Sequence, residues 1–385
     1  MHFYSIEGFG SMIRDRGRTG AYADALRAAV SPDSVVLDIG TGSGILAFLA
    51  CRFGARKVYA IEPGEVIQLA RAAAAANGFA DRIEFIQGIS TRVNLPEKVD
   101  VIVAGIHGVL PAFEASLLSV MDARDRFLAP GGRLIPQRET LWAALVNAPA
   151  TYGRLVEPWE NNGYGLDYQA TRDKAVNQFN RLRPSGDNLV SEPRCWGTLD
   201  YRTLSSPNLA GQVLWTLDRA TTVHGLAAWF DCETADGIGF SNSPGSRPEA
   251  AFGQAFFSWP RPVQLSAGDQ VAVHIRADLA GEDYIWRWNT DVTMGADTSR
   301  TRVSFRQSTF LGAPLSPESL RKRARTFVPA LNEDGCIARE ILRQMADGLP
   351  LDQIAQNVAT QFPRRFPTWQ NALDHVADLS AKYSL

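Results

Sequence analysis

The first third of the chain alternates short apolar runs with longer segments in which apolar residues recur at helical spacing. Each run is short enough for a buried strand, and the segments between runs have the length and period of amphipathic helices. We predict strands at 35–39, 57–61, 82–86, 99–104 and 133–135, and helices at 44–53, 65–77 and 111–126. Strands that alternate with helices indicate an α/β domain with a doubly wound parallel sheet.

The pattern changes after Pro136 and again near Pro317. Between these points, short runs of β type such as VHGLAAWFDCE alternate with turn residues, which is typical of an all-β domain. Residues 152–185 interrupt it with a polar segment that we interpret as a helical arm. The last part begins with the basic stretch RKRAR and predicts three amphipathic helices, at about 335–347, 351–361 and 368–382. We therefore predict three domains, at 1–136 with one or two N-terminal helices, 137–316 and 317–385.

A glycine-rich turn follows the first predicted strand, in the sequence VVLDIGTGSG. Gly40, Gly42 and Gly44 let the backbone approach a ligand closely, and the first N–H groups of the next helix face the same crevice. Glu62 ends the next strand, 24 residues after Asp38, where a doubly wound fold places the acid that binds ribose hydroxyls. These residues predict an adenosine site. A helix-capping acid is the alternative for Glu62.

Composition excludes several classes of protein. The 385 residues carry a formal net charge of -2, which lacks the basic excess of a nucleic-acid binder. The four cysteines lie far apart, without the spacing of a zinc site or a disulfide framework. The first residues lack the pattern of a signal peptide, and no apolar run has the length of a membrane span. We expect a cytoplasmic protein that binds neither nucleic acid nor a membrane, and no metal.

The DIGTGSG loop resembles the first motif of class I S-adenosylmethionine (SAM) methyltransferases. Other stretches resemble the protein arginine methyltransferases: MIRDRGRTGAY their N-terminal helix, ARDRFLAPGGRLIPQRETLW the crossover into their barrel, and WENNGYGLDYQATRDKAV their dimerisation arm. The resemblance covers about residues 4–300. It implies a Rossmann-like SAM-binding domain, a β-barrel-like substrate domain and a homodimer formed through the arm.

The resemblance also implies roles in the cofactor site. Arg18 pairs with the SAM carboxylate, because a guanidinium offers the bidentate geometry that a carboxylate prefers. A solvated helix charge is the alternative for this residue. Asp38 braces the glycine loop, and Glu62 binds the ribose hydroxyls. Backbone positions line the methionine and ribose side at Gly40, Gly42 and Gly44, and the adenine at Gly88 and Ile89.

The sequence VAGIHGVLPAFEASL departs from the family in the loop after the fourth strand. Arginine methyltransferases hold the substrate guanidinium there with two glutamates, whereas this chain has Gly105 at the first position and Glu114 at the second. The family's threonine-histidine-tryptophan motif falls on residues 250–252, which are Ala, Ala and Phe. A buried guanidinium needs its charge matched by carboxylates. We therefore predict an acceptor other than arginine.

Two residues of this loop are candidates for catalysis. His107 is placed to remove a proton from the acceptor, or to orient a carboxylate or hydroxyl. The alternative is a histidine that only hydrogen-bonds the loop. Glu114 is expected early in a helix, where it either contacts the substrate or is a first-turn charge favoured by the helix dipole.

Residues 323–385 resemble the PqqD-like domains of peptide-modifying pathways, in which a short β element precedes three helices and binds a leader peptide by strand addition. A winged-helix-like packing unit is the alternative. We predict a SAM-dependent methyltransferase that modifies a ribosomally made precursor peptide, or a protein, at a non-arginine acceptor. Two other functions stay open: a true protein or free-arginine N-methyltransferase, and a non-catalytic SAM- or peptide-binding scaffold.

Overall fold

A computed structural model of the chain describes residues 5–182, 188–246, 253–295 and 297–384. The chain divides into two compact units, Met1–Ala313 and Pro314–Leu385, and each is described here by itself. Among the helices of the described ranges, none combines the length and apolarity needed to cross a bilayer.

The first half of the larger unit is a parallel five-stranded sheet with helices, as the alternating pattern predicts. The strand order is β3-β2-β1-β4-β5, and every neighbouring pair is parallel. The strands are β1 Val35–Ile39, β2 Lys57–Glu62, β3 Ile83–Gln87, β4 Val99–Ala104 and β5 Leu128–Ile135. The helices are α1 Ile6–Arg14, α2 Arg16–Ala29, α3 Ile45–Arg52, α4 Ile67–Ala76 and α5 Ser116–Phe127, with a 3-10 turn at Ser90–Arg92.

The central strand β1 is buried on both faces, which its unbroken apolar run predicts. Val35, Leu37 and Ile39 pack into one apolar cluster, and Val36 packs into the cluster on the opposite face. The strand order reverses at β1, since β2 lies on one side of it and β4 on the other. Open α/β sheets bind ligands at such a switch point, outside the carboxyl ends of the strands.

The second half of the larger unit is antiparallel. Its strands are β6 Arg138–Val146, β7 Phe179–Leu182, β8 Arg194–Asp200, β9 Leu209–Thr216, β10 Thr221–Ala235, β11 Ile238–Ser241, β12 Gln254–Leu265, β13 Gln270–Ala280, β14 Asp283–Met294 and β15 Asp297–Phe305. They form a six-stranded sheet, with the path β7-β12-β10-β6-β8 and β11 beside β10, and a four-stranded sheet in the order β15-β14-β13-β9. Both sheets contribute to one apolar cluster that includes Trp259, Trp286 and Trp288. The predicted β-rich domain is confirmed as two sheets that share a core.

The polar segment predicted as a helical arm contains α6 Pro149–Glu160 and α7 Gln169–Ala175. Arg172 anchors it, because its guanidinium donates to Glu160, to the Tyr152 hydroxyl at 3.1 Å and to the Pro260 carbonyl at 2.8 Å. The loop between the helices is exposed, with Tyr164 85% and Leu166 58% accessible.

The smaller unit contains the three predicted helices, α10 Glu333–Ala346, α11 Leu351–Gln361 and α12 Trp369–Tyr383. The short helices α8 Thr309–Gly312 and α9 Pro317–Lys322 come before them in the chain, α8 in the larger unit. The core of the smaller unit is made by apolar residues of α10, α11 and α12, among them Ile341, Ile354 and Val376. Within residues 314–384 no strand is present, so the β element expected before the helices is absent there.

Candidate functional site

The glycine loop joins β1 to α3 at the switch point of the sheet. Gly40, Gly42 and Gly44 have φ values of 67°, 53° and 93°, in the left-handed region that favours glycine. A Cβ at Gly40 would overlap the Ile106 side chain, and one at Gly42 would lie 2.7 Å from the Phe9 ring. The loop therefore needs glycine both for its backbone angles and for close packing.

Asp38 lies on β1 and hydrogen-bonds both the loop and the start of the following helix. Its Oδ2 accepts hydrogen bonds from the Thr41 hydroxyl at 2.6 Å and from the Ala47 amide at 3.1 Å. The side chain is fully buried, and burial raises its pKa to about 7 even though both hydrogen bonds oppose the shift.

Glu62 lies at the carboxyl end of β2, beside the glycine loop. Its Oε2 accepts from the Gly42 amide at 3.0 Å and its Oε1 from the Gly64 amide at 2.9 Å. The Gly88 amide donates to the Glu62 carbonyl at 3.1 Å, which brings the turn at Gly88 and Ile89 to the same edge. A carboxylate has about four acceptor sites, so Glu62 retains capacity for the hydroxyls of a ligand while its orientation is fixed.

Arg18 is buried within α2 and reaches the end of β4. Its Nη2 donates to the Gly105 carbonyl at 2.7 Å, and its guanidinium lies 5.2 Å from the centre of the Tyr22 ring. Tyr22, one turn later on α2, donates its hydroxyl to the Ala104 carbonyl at 3.0 Å. Through these two hydrogen bonds, α2 holds the end of β4 and the start of the loop that follows it. The predicted alternative of a solvated charge does not fit, since Arg18 is only 4% exposed.

These residues fit a ligand that carries ribose hydroxyls and a carboxylate. The oriented Glu62 carboxylate supplies acceptors, and the glycine loop gives close access to backbone N–H groups. The Arg18 guanidinium supplies positive charge at the neighbouring strand end. SAM has these chemical groups, so the donor and acceptor set agrees with the cofactor that the sequence motif indicates.

Residues 105–115, which we call the acceptor loop, connect β4 to α5. Asn242 donates to the Val109 carbonyl at 3.0 Å, and the Ser116 hydroxyl donates to the Pro111 carbonyl at 2.8 Å. Glu114 has a φ of 45°, the one positive value outside glycine in the described residues. Such a conformation is uncommon for glutamate and is maintained by the surrounding structure.

The position of Glu114 corrects the predicted helix boundary. The helix was expected from residue 111, but α5 begins at Ser116, so Glu114 precedes it and is not a first-turn charge. Its left-handed backbone cannot be part of an α-helix, so α5 begins after Glu114, although the residues before it are apolar at helical spacing. The motif position at residues 250–252 lies outside the described residues.

His107 points from the acceptor loop into the protein interior and is 4% exposed. Its Nε2 lies 2.5 Å from Oε1 of Glu139, and its Nδ1 lies 3.4 Å from the Tyr22 hydroxyl. The ring stacks on Phe230, with 5.4 Å between centroids. The sequence predicted a group exposed to the methyl acceptor; the structure instead places His107 in a buried network, which favours the alternative of a loop-holding role.

Glu139 is the member of this network that sequence reasoning missed. It is fully buried on β6, and its Oε2 accepts from the Tyr201 hydroxyl at 2.7 Å. Burial raises the pKa of Tyr201 and of the Cys232 thiol well above their ordinary values, and the nearby Glu139 charge adds to both shifts. The alternation of β6 offered a signal, because it places Glu139 on the same face as the buried Leu141 and Ala143.

His107, Glu139 and Cys232 also have the chemistry of metal ligands, with ligand atoms within 4.8 Å of one another. Ligands around a zinc ion lie more than about 3 Å apart, because each bond is about 2.0–2.3 Å long and the geometry is tetrahedral. The separation of 2.5 Å between Nε2 of His107 and Oε1 of Glu139 is shorter than this, so these two atoms are in direct polar contact. His107 and Glu139 are placed as a polar pair, and the Cys232 thiol lies beside them.

Each half of the larger unit matches a family model of known methyltransferases. Residues 19–136 match the family model for ribosomal protein L11 methyltransferase, and residues 137–294 match that for the arginine methyltransferase oligomerization subdomain. The protein arginine N-methyltransferase 1 of Schizosaccharomyces pombe is 32% identical over 273 residues, which are 68% of this chain and 78% of that protein. The chain belongs to the protein arginine methyltransferase family.

Other members of the arginine methyltransferase family share a smaller part of their length. A probable protein arginine N-methyltransferase 6 of Arabidopsis thaliana is 31% identical over 242 residues, 60% of this chain and 55% of that protein. The chain thus spans about half the length of the first relatives it matches.

Solved structures agree on the fold. The Trypanosoma brucei PRMT1 enzyme-prozyme complex with AdoHcy has a TM-score of 0.70 at 24% identity, covering 80% of this chain and 98% of that chain. The protein arginine methyltransferase 10 of Arabidopsis thaliana has a TM-score of 0.68 at 24% identity, covering 79% of this chain and 97% of that one.

Proposed function

We propose that the chain is a SAM-dependent methyltransferase that modifies a protein or peptide. The observation that carries this proposal is the Glu62 carboxylate, which two backbone amides orient at the carboxyl end of β2 beside the glycine loop. Family membership supports it, since the curated relatives are named protein arginine N-methyltransferases. One of the similar solved structures is a complex with AdoHcy, the demethylated form of SAM.

The residues of the site would bind the cofactor by its two ends. Glu62 would accept the ribose hydroxyls, Arg18 would pair with the amino-acid carboxylate, and the turn at Gly88 and Ile89 would border the adenine. Asp38 holds the loop of Gly40, Gly42 and Gly44 through Thr41 and the start of α3. When bound, SAM supplies an electrophilic methyl group. The protein then has to align the acceptor and exclude water.

We favour an acceptor other than arginine. Glu114 supplies one carboxylate to the acceptor loop, but Gly105 stands at the position of the family's other glutamate. Arg18 donates to the carbonyl of Gly105, so a guanidinium already occupies the neighbourhood of the missing glutamate. A substrate guanidinium would have the single carboxylate of Glu114 to balance its charge. An uncharged side chain avoids this cost.

The second candidate is N-methylation of arginine, in a protein or as the free amino acid, and the names of the relatives favour it. A non-catalytic SAM- or peptide-binding scaffold is the third. Calorimetry of the purified chain with SAM and with its demethylated product tests the shared premise. Micromolar binding of both supports the two enzyme functions, and binding of neither excludes them together with a SAM-binding scaffold.

The substrate is proposed to be a ribosomally made precursor peptide, delivered by residues 317–385. The segment before α10 supports peptide binding, since Val328 and Leu331 are 85% and 57% exposed. The absence of a strand in described residues 314–384 means that any added peptide strand would require this segment to become extended on binding. Pull-down of candidate peptides with wild-type protein and with Val328→Asp tests this step.

A further inference from the structure

The acceptor loop is attached to the β half through the side chain of His107. The centroid of its imidazole lies 5.4 Å from that of the Phe230 ring and 6.1 Å from that of the Phe240 ring. Its Nε2 lies 2.5 Å from Oε1 of Glu139. The loop therefore contributes a polar group to a closed, apolar environment. Such a group is stable there only when its partner is correctly placed.

Glu139 is a fixed partner. It belongs to β6, which is hydrogen-bonded to β10 on one side and to β8 on the other. Its carboxylate faces three side chains, because Tyr201 donates to Oε2 at 2.7 Å and the Cys232 thiol lies within the same cluster as His107. A carboxyl group that is completely buried needs polar partners such as these, so its position is tightly constrained.

The constraint reaches Glu114 along the acceptor loop. The loop is held at its start by Arg18 through the Gly105 carbonyl, and in its middle by His107 and by Asn242 through the Val109 carbonyl. Glu114 follows with a φ of 45°, a strained value that persists only where neighbouring contacts determine the backbone. Loss of the His107 contact would release the centre of the loop.

We propose that Glu139 is a positioning residue for the methyl-transfer reaction: through His107 it holds the acceptor loop in the conformation that presents Glu114 to the methyl acceptor. This inference rests on the proposed methyltransferase function. It assigns Glu139 no contact with the substrate or with SAM. It separates the acceptor side of the site, which depends on Glu139, from the cofactor side, which depends on Glu62.

Glu139→Gln tests the proposal. The amide has nearly the same shape but turns its N–H2 group toward either His107, which contacts the carboxylate through Nε2, or Tyr201, which donates to it. We expect kcat/KM for the acceptor to fall about 10- to 100-fold, while the Kd for SAM changes less than about twofold. The matched control is Asp269→Asn, because Asp269 is a buried carboxylate that accepts from the Ser266 amide in a turn before β13. It should leave kcat/KM unchanged.

A double variant, His107→Leu with Glu139→Leu, keeps the test valid if the single variant unfolds. Apolar replacement of a buried pair is often neutral or stabilising, although here the Tyr201 hydroxyl also loses its acceptor. We expect this variant to fold, as judged by circular dichroism and Tm, to bind SAM, and to lose acceptor turnover to the same degree as Glu139→Gln. If either variant turns over the acceptor like the Asp269→Asn control, the proposal is wrong. Equal loss of SAM affinity and turnover would also overturn it, as a general structural defect.

Nuclear magnetic resonance of the ring nitrogens separates failure of this inference from failure of the proposed function. The chain has five histidines, so His107 can be assigned by its loss in the double variant. We expect a protected Nε2 proton that disappears in Glu139→Gln, together with changed amide shifts at 105–114. A wild-type chain that binds SAM but methylates no peptide removes the proposed function. Unchanged amide shifts at 105–114 in Glu139→Gln remove the positioning role.

Discussion

Arg18 and Gly105 are joined by a hydrogen bond beside the switch point of the sheet. The Arg18 guanidinium donates to the Gly105 carbonyl at 2.7 Å, and a Cβ at Gly105 would lie 2.6 Å from the same Nη2. Gly105, which stands where the family has its first glutamate, therefore does more than omit a carboxylate. It provides the space in which Arg18 reaches the acceptor loop.

This relationship predicts the outcome of Gly105→Glu, the substitution that restores the family residue. The new side chain must displace the end of Arg18, so we expect weaker SAM binding, by about tenfold, before any gain in arginine methylation. Gly105→Ala is the control that adds the Cβ alone, without the rest of the glutamate side chain. Since Arg18 ends in a flexible side chain, alanine should cost no more than about threefold. Calorimetry measures both effects, and an unchanged Kd for SAM in Gly105→Glu would contradict the coupling.

Glu62→Gln should reduce SAM affinity by at least about tenfold, because a hydrogen bond to a charged acceptor contributes about 1.5–3 kcal/mol. The matched control is Glu97→Gln. Glu97 lies just before β4, at the amino end of that strand, and accepts hydrogen bonds from Tyr59 and Arg56. Equal Kd values for the two variants would show that Glu62 does not contact the cofactor.

A substitution at Arg126 should also weaken SAM binding. Its guanidinium pairs with Asp122 and donates to the carbonyls of Ser90 and Val93, both at 2.8 Å, and so holds the turn that follows Gly88. Arg126→Lys cannot make all of these contacts at once, and we expect SAM binding to weaken about 3- to 10-fold. Arg133→Lys, which removes a contact to the Ala28 carbonyl, is the control and should bind like wild type.

Asp38 predicts a pH dependence of stability. Its pKa is about 7 in the folded chain and about 3.8 in the unfolded chain, so between these values the folded state binds more protons. Its contribution to the free energy of unfolding should fall as pH rises from 4 to 7, by about 1.4 kcal/mol per unit where fully developed, and be constant above. Denaturant titrations of wild type and Asp38→Asn at several pH values check this. Parallel curves would contradict it.

The arm predicts self-association. Tyr164 and Leu166 are exposed in the loop between α6 and α7, which fits the homodimer implied by the family resemblance. We expect the wild type to be a dimer by light scattering and Leu166→Asp with Tyr164→Asp to be a monomer. Leu214→Asp changes a leucine of similar exposure, 51%, on β9 and should remain a dimer. A wild type that is monomeric at all concentrations would exclude the arm as an interface.

The sequence was sufficient for the parallel half of the fold because local patterns determine it. The buried run at Val35–Ile39 and the glycines after it carry strand, turn and helix in consecutive residues. The role of His107 could not be read in the same way, since its partner Glu139 is distant in sequence and belongs to the other half. The left-handed backbone of Glu114 depends on tertiary contacts as well, which is why the helix was predicted to begin too early.

The same limit applies to the C-terminal unit. The three helices follow from their apolar period, and α11 has the predicted bounds. A short β element has no such period, and the expected one is not present in residues 314–384. Its function as a peptide-binding domain therefore stays a prediction.

Transfer of an isotopically labelled methyl group from SAM to a mixture of peptides with and without arginine tests which residue accepts the methyl group. Tandem mass spectrometry then identifies the modified residue. We predict label on a residue other than arginine, because the single carboxylate of Glu114 leaves a cationic acceptor poorly balanced. Label on arginine alone, at a rate comparable with that of a two-glutamate family member, would contradict it.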